Sequence, residues 1–128
     1  MRRFFEEVVF GRRLEVLDEL LASEFVAHSS VLGDVHGGAA YSRSIAALLN
    51  GSSDLNGSID DLLSAENDTV VARMTYRGTD SGGLVPGRPA SNKAYEFTAT
   101  YIWRVVDGKL SEMWQEADRA RLLQQLQL

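Results

Sequence analysis

Three side chains of this sequence have the chemistry to move a proton or to stabilise a developing negative charge, namely Asp118, Arg73 and His28. A carboxyl group held against apolar neighbours has a raised pKa and can exchange protons near neutral pH. The guanidinium of Arg73 follows apolar residues in a strand-like run and could hold a substrate carboxylate, enolate or carbonyl oxygen. The imidazole of His28 could act as an acid or a base. We therefore predict Asp118 as the proton donor, assisted by Arg73 and His28.

Each of these residues also has a structural interpretation, and the sequence leaves both open. Asp118 directly precedes a helical segment that starts at Arg119, so it suits the role of helix N-cap, which ranks ahead of catalysis. Arg73 could be a buried partner of Asp118 or Glu116, because an unpaired buried guanidinium is costly. A lone histidine such as His28 is more often structural than catalytic. We expect Asp118, Arg73 and His28 to meet in space, because Asp118 lies where the last strand turns into its helix.

An alternating run of aromatic residues between Tyr95 and Val106 could form one wall of a site for a flat aromatic ligand. Successive side chains of a strand point to opposite faces, so the odd-numbered members of the run share one face. Stripes of this period usually belong to a protein core, and both roles stay open. The predicted substrate-binding residues are Phe97, Tyr101, Trp103, Met113, Trp114 and Gln115.

The elements that position these residues are predicted from turn signals and apolar spacing. Asp107-Gly108 suits a type I′ turn because both residues tolerate positive φ, so it predicts a hairpin. That hairpin joins strands over residues 95–106 and 110–117 and leads into a short helix over 119–126.

Apolar residues spaced three and four apart make the N-terminal part of the chain helical, and a period of two then takes over. The predicted helices span residues 2–10, 12–21 and 39–49, with an extended piece at 23–28 and a loop at 29–38. A second hairpin spans 58–65 and 69–79, and a long exposed loop spans 79–92. Helices followed by antiparallel strands indicate an α+β fold, with residues 1–128 forming a single domain.

Composition excludes several classes of function. The net charge of -5 and the lack of a Lys/Arg cluster argue against a nucleic-acid partner. The chain has no cysteine, and His28 and His36 do not form a metal motif, so we expect no metal site. No apolar run is long enough to cross a membrane, and Glu6-Glu7 interrupts any signal-peptide core, so we expect a cytoplasmic protein without a membrane partner.

Three stretches of the sequence, in this order and spacing, carry a resemblance to a known family: RRFFEEVVFGRRLEVLDELLASEFVAH, NDTVVARMTYRGTDSGG and VDGKLSEMWQEADRARLLQQL. Together they resemble the SnoaL-like polyketide cyclase family, within the nuclear-transport-factor-like and ketosteroid-isomerase-like fold. The resemblance implies a cone-shaped, curved antiparallel sheet of about four to six strands, covered by N-terminal helices and enclosing a pocket. It also implies a homodimer, no cofactor, and acid–base chemistry on polycyclic aromatic intermediates of the kind used in antibiotic biosynthesis.

The sequence departs from the pattern of that family where the chemistry is done. The His-x-Asp pair of the last strand is replaced by Met113 and Gln115, neither of which is a general acid or base near neutral pH. The usual histidine after the Gly-Thr of an earlier strand is Asp80, whereas the acidic residue that opens the last helix is kept as Asp118. The resemblance therefore predicts the fold more firmly than the aldol cyclisation.

We accordingly expect a cofactor-independent acid–base enzyme, a polyketide cyclase-like protein, that binds a hydrophobic or aromatic small molecule. The alternatives are a hydroxylase-type relative of the same fold and a non-catalytic module for ligand binding or dimerisation. A homodimer through the convex sheet face is expected because the second face of the strand over residues 95–106 also carries apolar groups, such as Ile102 and Val106.

Overall fold

The structure is a computed structural model that describes residues 2–30 and 33–126. It contains one sheet whose strands are β1 (Leu21–Ser29), β2 (Gly33–His36), β3 (Asn56–Ala65), β4 (Thr69–Thr79), β5 (Ala94–Val106) and β6 (Lys109–Ala117). The helical segments are a π-helix (Phe4–Val9), a 3-10 turn (Leu14–Val16), α1 (Leu17–Leu20), α2 (Gly38–Gly51) and α3 (Arg119–Leu126). The predicted α+β fold class is confirmed.

The strands follow the order β2-β1-β6-β5-β4-β3, and the last four are joined by the predicted hairpins. Asp107 and Gly108 both have positive φ, 51° and 75°, as the turn between β5 and β6 requires. Asn67 and Asp68 have φ values of 60° and 54° in the turn between β3 and β4. Short turn residues that tolerate the left-handed region therefore hold the register of both hairpins.

The N-terminal strand β1 is the element that the sequence described least well. Only an extended piece over residues 23–28 was expected, whereas β1 is a full strand that pairs with β6 in parallel. The predicted loop after it contains the short strand β2, which pairs antiparallel with β1. Because β1 and β6 are far apart in sequence and no hairpin joins them, their relative direction depends on where the helices deliver the chain.

Register shifts bend the sheet into an open, unclosed curve. They interrupt the pairing of β1 with β6, of β3 with β4 and of β5 with β6. Such shifts increase local twist and curvature. The concave face holds the core with the N-terminal π-helix and α2, and its fully buried members include Phe4, Phe5, Phe25, Met74 and Trp103.

The first two predicted helices are shorter and less regular than expected. Residues 4–9 form a π-helix whose Phe4, Phe5, Val8 and Val9 are buried, and the second helix is reduced to a 3-10 turn and the four residues of α1. Arg12, with φ 59°, donates from its guanidinium to the carbonyl oxygens of Leu49, Ser52 and Ser53 at 2.7–3.1 Å. The position of the N-terminal segment is therefore set by its packing against the sheet and by the hydrogen bonds of Arg12, and not by helix propensity alone.

The long loop between β4 and β5 is organised by a buried carboxylate. Asp80 is 1 % exposed, and its oxygens accept hydrogen bonds from the backbone amides of Gly83, Leu84 and Ser91 at 2.7–3.1 Å. Burial acts to raise the pKa of Asp80, but the hydrogen bonds from Ser91, Leu84 and Gly83 hold that pKa below its ordinary value. Asp80 is thus a structural residue of the loop.

We predict that Asp80→Asn destabilises the protein by about 2–3 kcal/mol at neutral pH, because an amide cannot accept all three backbone hydrogen bonds. A carboxyl pKa that is lowered in the folded state contributes stability above its unfolded value of about 3.9, and that stability is lost as the pH falls through the folded value. Urea unfolding measured from neutral pH to below about pH 3.9 should show that the free energy of unfolding falls with acid in wild type and falls less in the variant. Asp61→Asn, at an exposed carboxylate, is the control and should cost less than about 1 kcal/mol; equal effects would contradict the prediction.

Candidate functional site

The concave face of the sheet encloses a cavity of about 410 Å³ beneath the helices. The sheet forms its floor, the N-terminal π-helix and α2 its sides, and the loop over residues 83–86 together with α3 its mouth. The residues that line it are Phe4, Val9, Tyr41, Ser44, Ile45, Ala47, Leu48, Leu55, Tyr76, Gly83, Leu84, Val85, Pro86, Tyr95, Phe97, Tyr101, Gln115, Ala117, Arg119, Leu122 and Leu123. Most of these are apolar, as is typical of a small-molecule site.

A row of polar side chains on three adjacent strands leads to the floor of this cavity, where Gln115 and Tyr101 line it. Ser29 of β1 pairs with Gln115 of β6, which in turn pairs with Tyr101 of β5. Directly opposed residues of neighbouring strands point to the same face, so the three side chains meet. The Ser29 hydroxyl donates to Gln115 Oε1 at 2.6 Å, and Gln115 Nε2 donates to the Tyr101 hydroxyl at 3.1 Å. Ser29 therefore fixes which end of the amide faces the tyrosine.

A second tyrosine extends this row. The hydroxyl of Tyr76, on β4, lies 2.6 Å from that of Tyr101, and both side chains are buried. Burial raises the pKa of Tyr101 to about 12, and hydrogen bonds from Tyr76 and Gln115 act in the opposite direction. Burial likewise raises the pKa of Tyr76 well above its ordinary value. Both phenols are consequently neutral near pH 7.

The Tyr76–Tyr101 pair can serve as a hydrogen-bond donor toward a ligand. Two hydroxyl protons are present and the pair uses one of them for its own hydrogen bond, so one remains for an oxygen in the cavity. A neutral phenol can donate to a carbonyl or an enolate, but it is not a base at neutral pH.

The other hydroxyl groups of the cavity already donate to protein atoms. The Tyr95 hydroxyl donates to Ser52 Oγ at 2.7 Å, and that of Tyr41 donates to Met113 Sδ at 3.5 Å. Ser44 Oγ donates to the carbonyl oxygen of Ala40 at 3.2 Å. The polar recognition that the floor offers is therefore concentrated at the Tyr76–Tyr101 pair and Gln115.

Asp118 is a helix cap at the surface. Its Oδ1 accepts a hydrogen bond from the backbone amide of Arg121 at 3.1 Å, so the N-cap predicted from the sequence is present. Its side chain is exposed and is not part of the cavity lining described above. A catalytic role for Asp118 stays a prediction. That role depends on apolar neighbours around the carboxyl group, whereas the side chain is exposed.

Arg73 pairs with a carboxylate that the sequence analysis did not consider. Its Nε and Nη2 lie 2.8 and 2.7 Å from Asp61 Oδ2, and the two side chains are 55 % and 51 % exposed. The predicted burial of Arg73 is wrong because alternation along β4 turns Ala72 and Met74 inward and Arg73 outward.

His28 belongs to a cluster on the convex face. Its Nδ1 lies 2.9 Å from Asp34 Oδ1 and its Nε2 lies 2.8 Å from Glu112 Oε2. The imidazole stacks on Trp114 at 5.5 Å between ring centroids, and the guanidinium of Arg104 lies 5.5 Å from the centre of the same indole. Hydrogen bonds to Asp34 and Glu112 raise the pKa of His28.

The prediction that Asp118, Arg73 and His28 meet in space is wrong. His28 lies on β1 and Arg73 on β4, and the strands β6 and β5 run between them. Three interstrand spacings amount to about 14 Å, which is well beyond hydrogen-bond reach. The predicted cluster required a buried Arg73, whereas Arg73 is exposed and pairs with Asp61 at the surface.

The predicted substrate-binding residues divide into three groups. Tyr101, Phe97 and Gln115 line the cavity as expected. Trp103 and Met113 do not line it: they are 0 % and 1 % exposed and lie in the core, where Trp103 packs against Phe4 at 4.8 Å. Trp114 has the opposite parity on β6 and faces the convex side with His28.

Tyr76 is the functional candidate that the sequence analysis missed. It belongs to an alternating run in β4, with Ala72 and Met74 inward, and the same period of two identified the wall on β5. Adding the inward positions of β4 to that wall would have found it. What the pattern does not contain is the cross-strand contact with Tyr101.

No group of three or more His, Cys, Asp or Glu side chains within residues 2–30 and 33–126 could hold a metal ion. Over the same ranges, no helix is long and apolar enough to cross a membrane. The expected cytoplasmic location stays a prediction.

Comparisons with known proteins place these features in context. A family model for SnoaL-like polyketide cyclases matches residues 1–126. Among curated proteins, none matches the chain at a significant level.

Solved structures share the fold over almost the whole chain. TsrD from Streptomyces laurentii is 28% identical, with a TM-score of 0.83, and the match covers 98% of this chain and 90% of that one. IdmH from Streptomyces antibioticus, provisionally described as a polyketide cyclase, is 27% identical, with a TM-score of 0.80 and coverage of 98% and 94%. AclR from Streptomyces galilaeus, provisionally described as a hydroxylase, is 21% identical, with a TM-score of 0.80 and coverage of 96% and 89%, which shows the fold alone.

We predict that His28 titrates above its ordinary pKa of 6.5 and that replacing both acceptors, with Asp34→Asn and Glu112→Gln, lowers that pKa. A raised pKa in the folded state contributes stability that is complete below the unfolded value and is lost as the pH rises through the folded value. NMR titration of the imidazole measures the pKa directly. His28→Gln should leave ligand binding unchanged, because the imidazole lies on the convex face. Weaker ligand binding by this variant would indicate that His28 contributes to the ligand site.

Proposed function

Because the chain belongs to the SnoaL-like polyketide cyclase family, we propose that it is a cofactor-independent acid–base enzyme that acts on a polyketide-type aromatic intermediate. The observation that supports this most directly is the Tyr76–Tyr101 pair at the floor of an apolar cavity of about 410 Å³. In this proposal the tyrosine pair, rather than Asp118, is the donor toward the substrate oxygen.

The proposed reaction is an aldol ring closure. The carbon-bound proton of a 1,3-dicarbonyl unit is already acidic and leaves to water, while the phenol of the pair donates a hydrogen bond to the oxygen that becomes the enolate. The enolate carbon then attacks a second carbonyl of the same molecule, so that a carbon–carbon bond forms as the carbonyl π bond opens, and the new alkoxide takes a proton back from water. Holding the reacting carbons together and stabilising the oxygen are the contributions of the protein.

The surroundings of the pair favour this chemistry. Aromatic rings at Tyr76, Phe97 and Tyr101 flank the polar floor, and Phe5 packs against Tyr101 at 5.1 Å. A hydrogen bond aimed at a developing charge is worth more in such a buried, apolar setting than in bulk water. Gln115, held by Ser29, keeps the phenol of Tyr101 in place before a ligand arrives.

A non-catalytic binding module is the second candidate. No carboxylate or imidazole occurs among the described residues that line the cavity, so a base of the usual kind is not provided. A hydroxylase-type activity remains the third possibility from the sequence, and no feature of the cavity favours it.

We predict that wild-type protein accelerates exchange of the carbon-bound proton of 2-acetyl-1-tetralone for deuterium, and that Tyr101→Phe reduces this acceleration by about a hundredfold. Tyr95→Phe is the matched control, because Tyr95 also lines the cavity but donates to Ser52. It should retain near wild-type rates. NMR measures the exchange, and binding of the compound is measured separately.

The outcomes separate the candidates. Equal exchange rates with and without protein, together with normal binding of the compound, would favour the binding module. Asp118→Asn preserves the helix cap and should keep the activity. If Asp118→Asn abolished exchange while Tyr101→Phe did not, the proton donor would be Asp118 after all.

We also propose that the convex sheet face joins two copies of the chain. A row of side chains crosses five strands on this face, and each member is the register partner of the next: Leu63, Val71, Ile102, Trp114 and His28. Leu63 is 60% exposed and Ile102 is 41% exposed. An apolar row that ends at the charged groups around His28 and Trp114 suits a self-complementary twofold interface.

We predict that wild-type protein sediments at twice the monomer mass at micromolar concentration and that Ile102→Glu shifts it to the monomer, because two buried like charges would face each other near the symmetry axis. Ala120→Glu, at an exposed position of α3, is the control and should stay dimeric. Monomeric wild-type protein would refute the proposed interface.

A further inference from the structure

The cavity has one charged residue among the described residues that line it, namely Arg119 at the start of α3. Arg119 is exposed, whereas the Tyr76–Tyr101 pair is buried, so the two polar features lie at opposite depths. Between them the lining is almost entirely apolar, with Leu122 and Leu123 of α3 beside Arg119. A ligand in this cavity therefore meets a neutral donor at the floor and a cation at the mouth.

Within residues 2–30 and 33–126, the guanidinium of Arg119 is one of four without a hydrogen-bond, ion-pair or aromatic partner, together with those of Arg43, Arg88 and Arg121, and it alone among them lines the cavity. Five arginines form ion pairs with carboxylates: Arg2, Arg3, Arg13, Arg73 and Arg77. The neighbouring carboxylate of Asp118 is directed to the backbone amide of Arg121. In a chain with 18 acidic and 13 basic residues, an arginine left available at a cavity mouth is a candidate for anion recognition.

The floor of the cavity has the opposite preference. The floor is formed by the neutral side chains of Tyr76, Tyr101 and Gln115, and both tyrosines are buried. The one cation among the described lining residues, Arg119, lies at the mouth instead. A carboxylate placed there would lose its hydration without gaining an ion pair. A ligand with a carbonyl or hydroxyl at one end and a carboxylate at the other can satisfy both regions in one orientation only, with its carboxylate outward.

We propose that the ligand of this cavity is an aromatic or polyketide-type carboxylic acid whose carboxylate is bound by Arg119 at the mouth while its carbonyl or phenol oxygen meets the Tyr76–Tyr101 pair. This inference rests on the proposed function and narrows its substrate class. Arg119 then determines both the charge specificity and the direction in which the substrate enters, which decides the carbonyl that reaches the tyrosines.

The test uses two probes of nearly equal shape that differ in charge, 6-hydroxy-2-naphthoate and 6-hydroxy-2-naphthamide. Their dissociation constants are measured by calorimetry for wild type, Arg119→Gln and Arg121→Gln. Arg121 is the matched control, because it is an exposed arginine two residues further along α3 and does not line the cavity. Thermal unfolding of each variant checks that the fold is retained.

Wild type should bind the acid about tenfold more tightly than the amide, which corresponds to one charge-assisted hydrogen-bonding contact. Arg119→Gln should abolish this preference, chiefly by weakening the binding of the acid, and Arg121→Gln should keep the preference. The preference of wild type should shrink at high salt, because the mouth is exposed to solvent.

Equal affinities of wild type for the two probes, or an equal loss in both arginine variants, would overturn the assignment of Arg119. Failure of the proposed function has a different signature. If Tyr101→Phe left the affinities for both probes unchanged while the acid preference persisted, the tyrosine pair would not be the floor contact. Binding of neither probe at millimolar concentration would overturn both ideas together.

Discussion

The pairing register of β5 with its neighbours β4 and β6 is the constraint on which the rest of the structure depends. Because side chains alternate along a strand, this register decides which residues face the cavity and which face solvent. It sets Tyr101 opposite both Ala72 and Gln115, and it places the hydroxyl of Tyr101 2.6 Å from that of Tyr76. A slip of one residue would exchange the entire cavity wall for Thr100, Ile102 and their outward-facing partners.

The buried floor of the cavity is built from neutral groups, and the one charged side chain among the described lining residues, Arg119, is exposed. Buried carboxylates and imidazoles need partners, and this chain places such groups outside the cavity: Asp61 with Arg73, and His28 between Asp34 and Glu112. Phenols and an amide can be buried in an apolar cavity at lower cost, provided that their hydrogen bonds are made. The row from Ser29 to Tyr76 meets that condition and leaves one donor for a ligand.

The two faces of the sheet therefore carry different kinds of side chain. The concave face and its helices form a largely apolar cavity, lined at its mouth by α3 and by a loop that Asp80 holds in place. The convex face carries the titratable clusters and an apolar row that includes Ile102 and Leu63. The proposed small-molecule site and the proposed dimer interface lie on opposite faces of the sheet, so a substitution can alter one without touching the other.

The sequence by itself determined the elements whose signals are local. The turn at Asp107-Gly108, the alternation that turns Tyr101 inward and the N-cap at Asp118 all depend on neighbours in the chain, and all three are present. Only the tertiary structure decided the parallel pairing of β1 with β6, the surface partner of Arg73 and the contact of Tyr101 with Tyr76. These depend on which distant strands become neighbours, and local propensity and period contain no information about that.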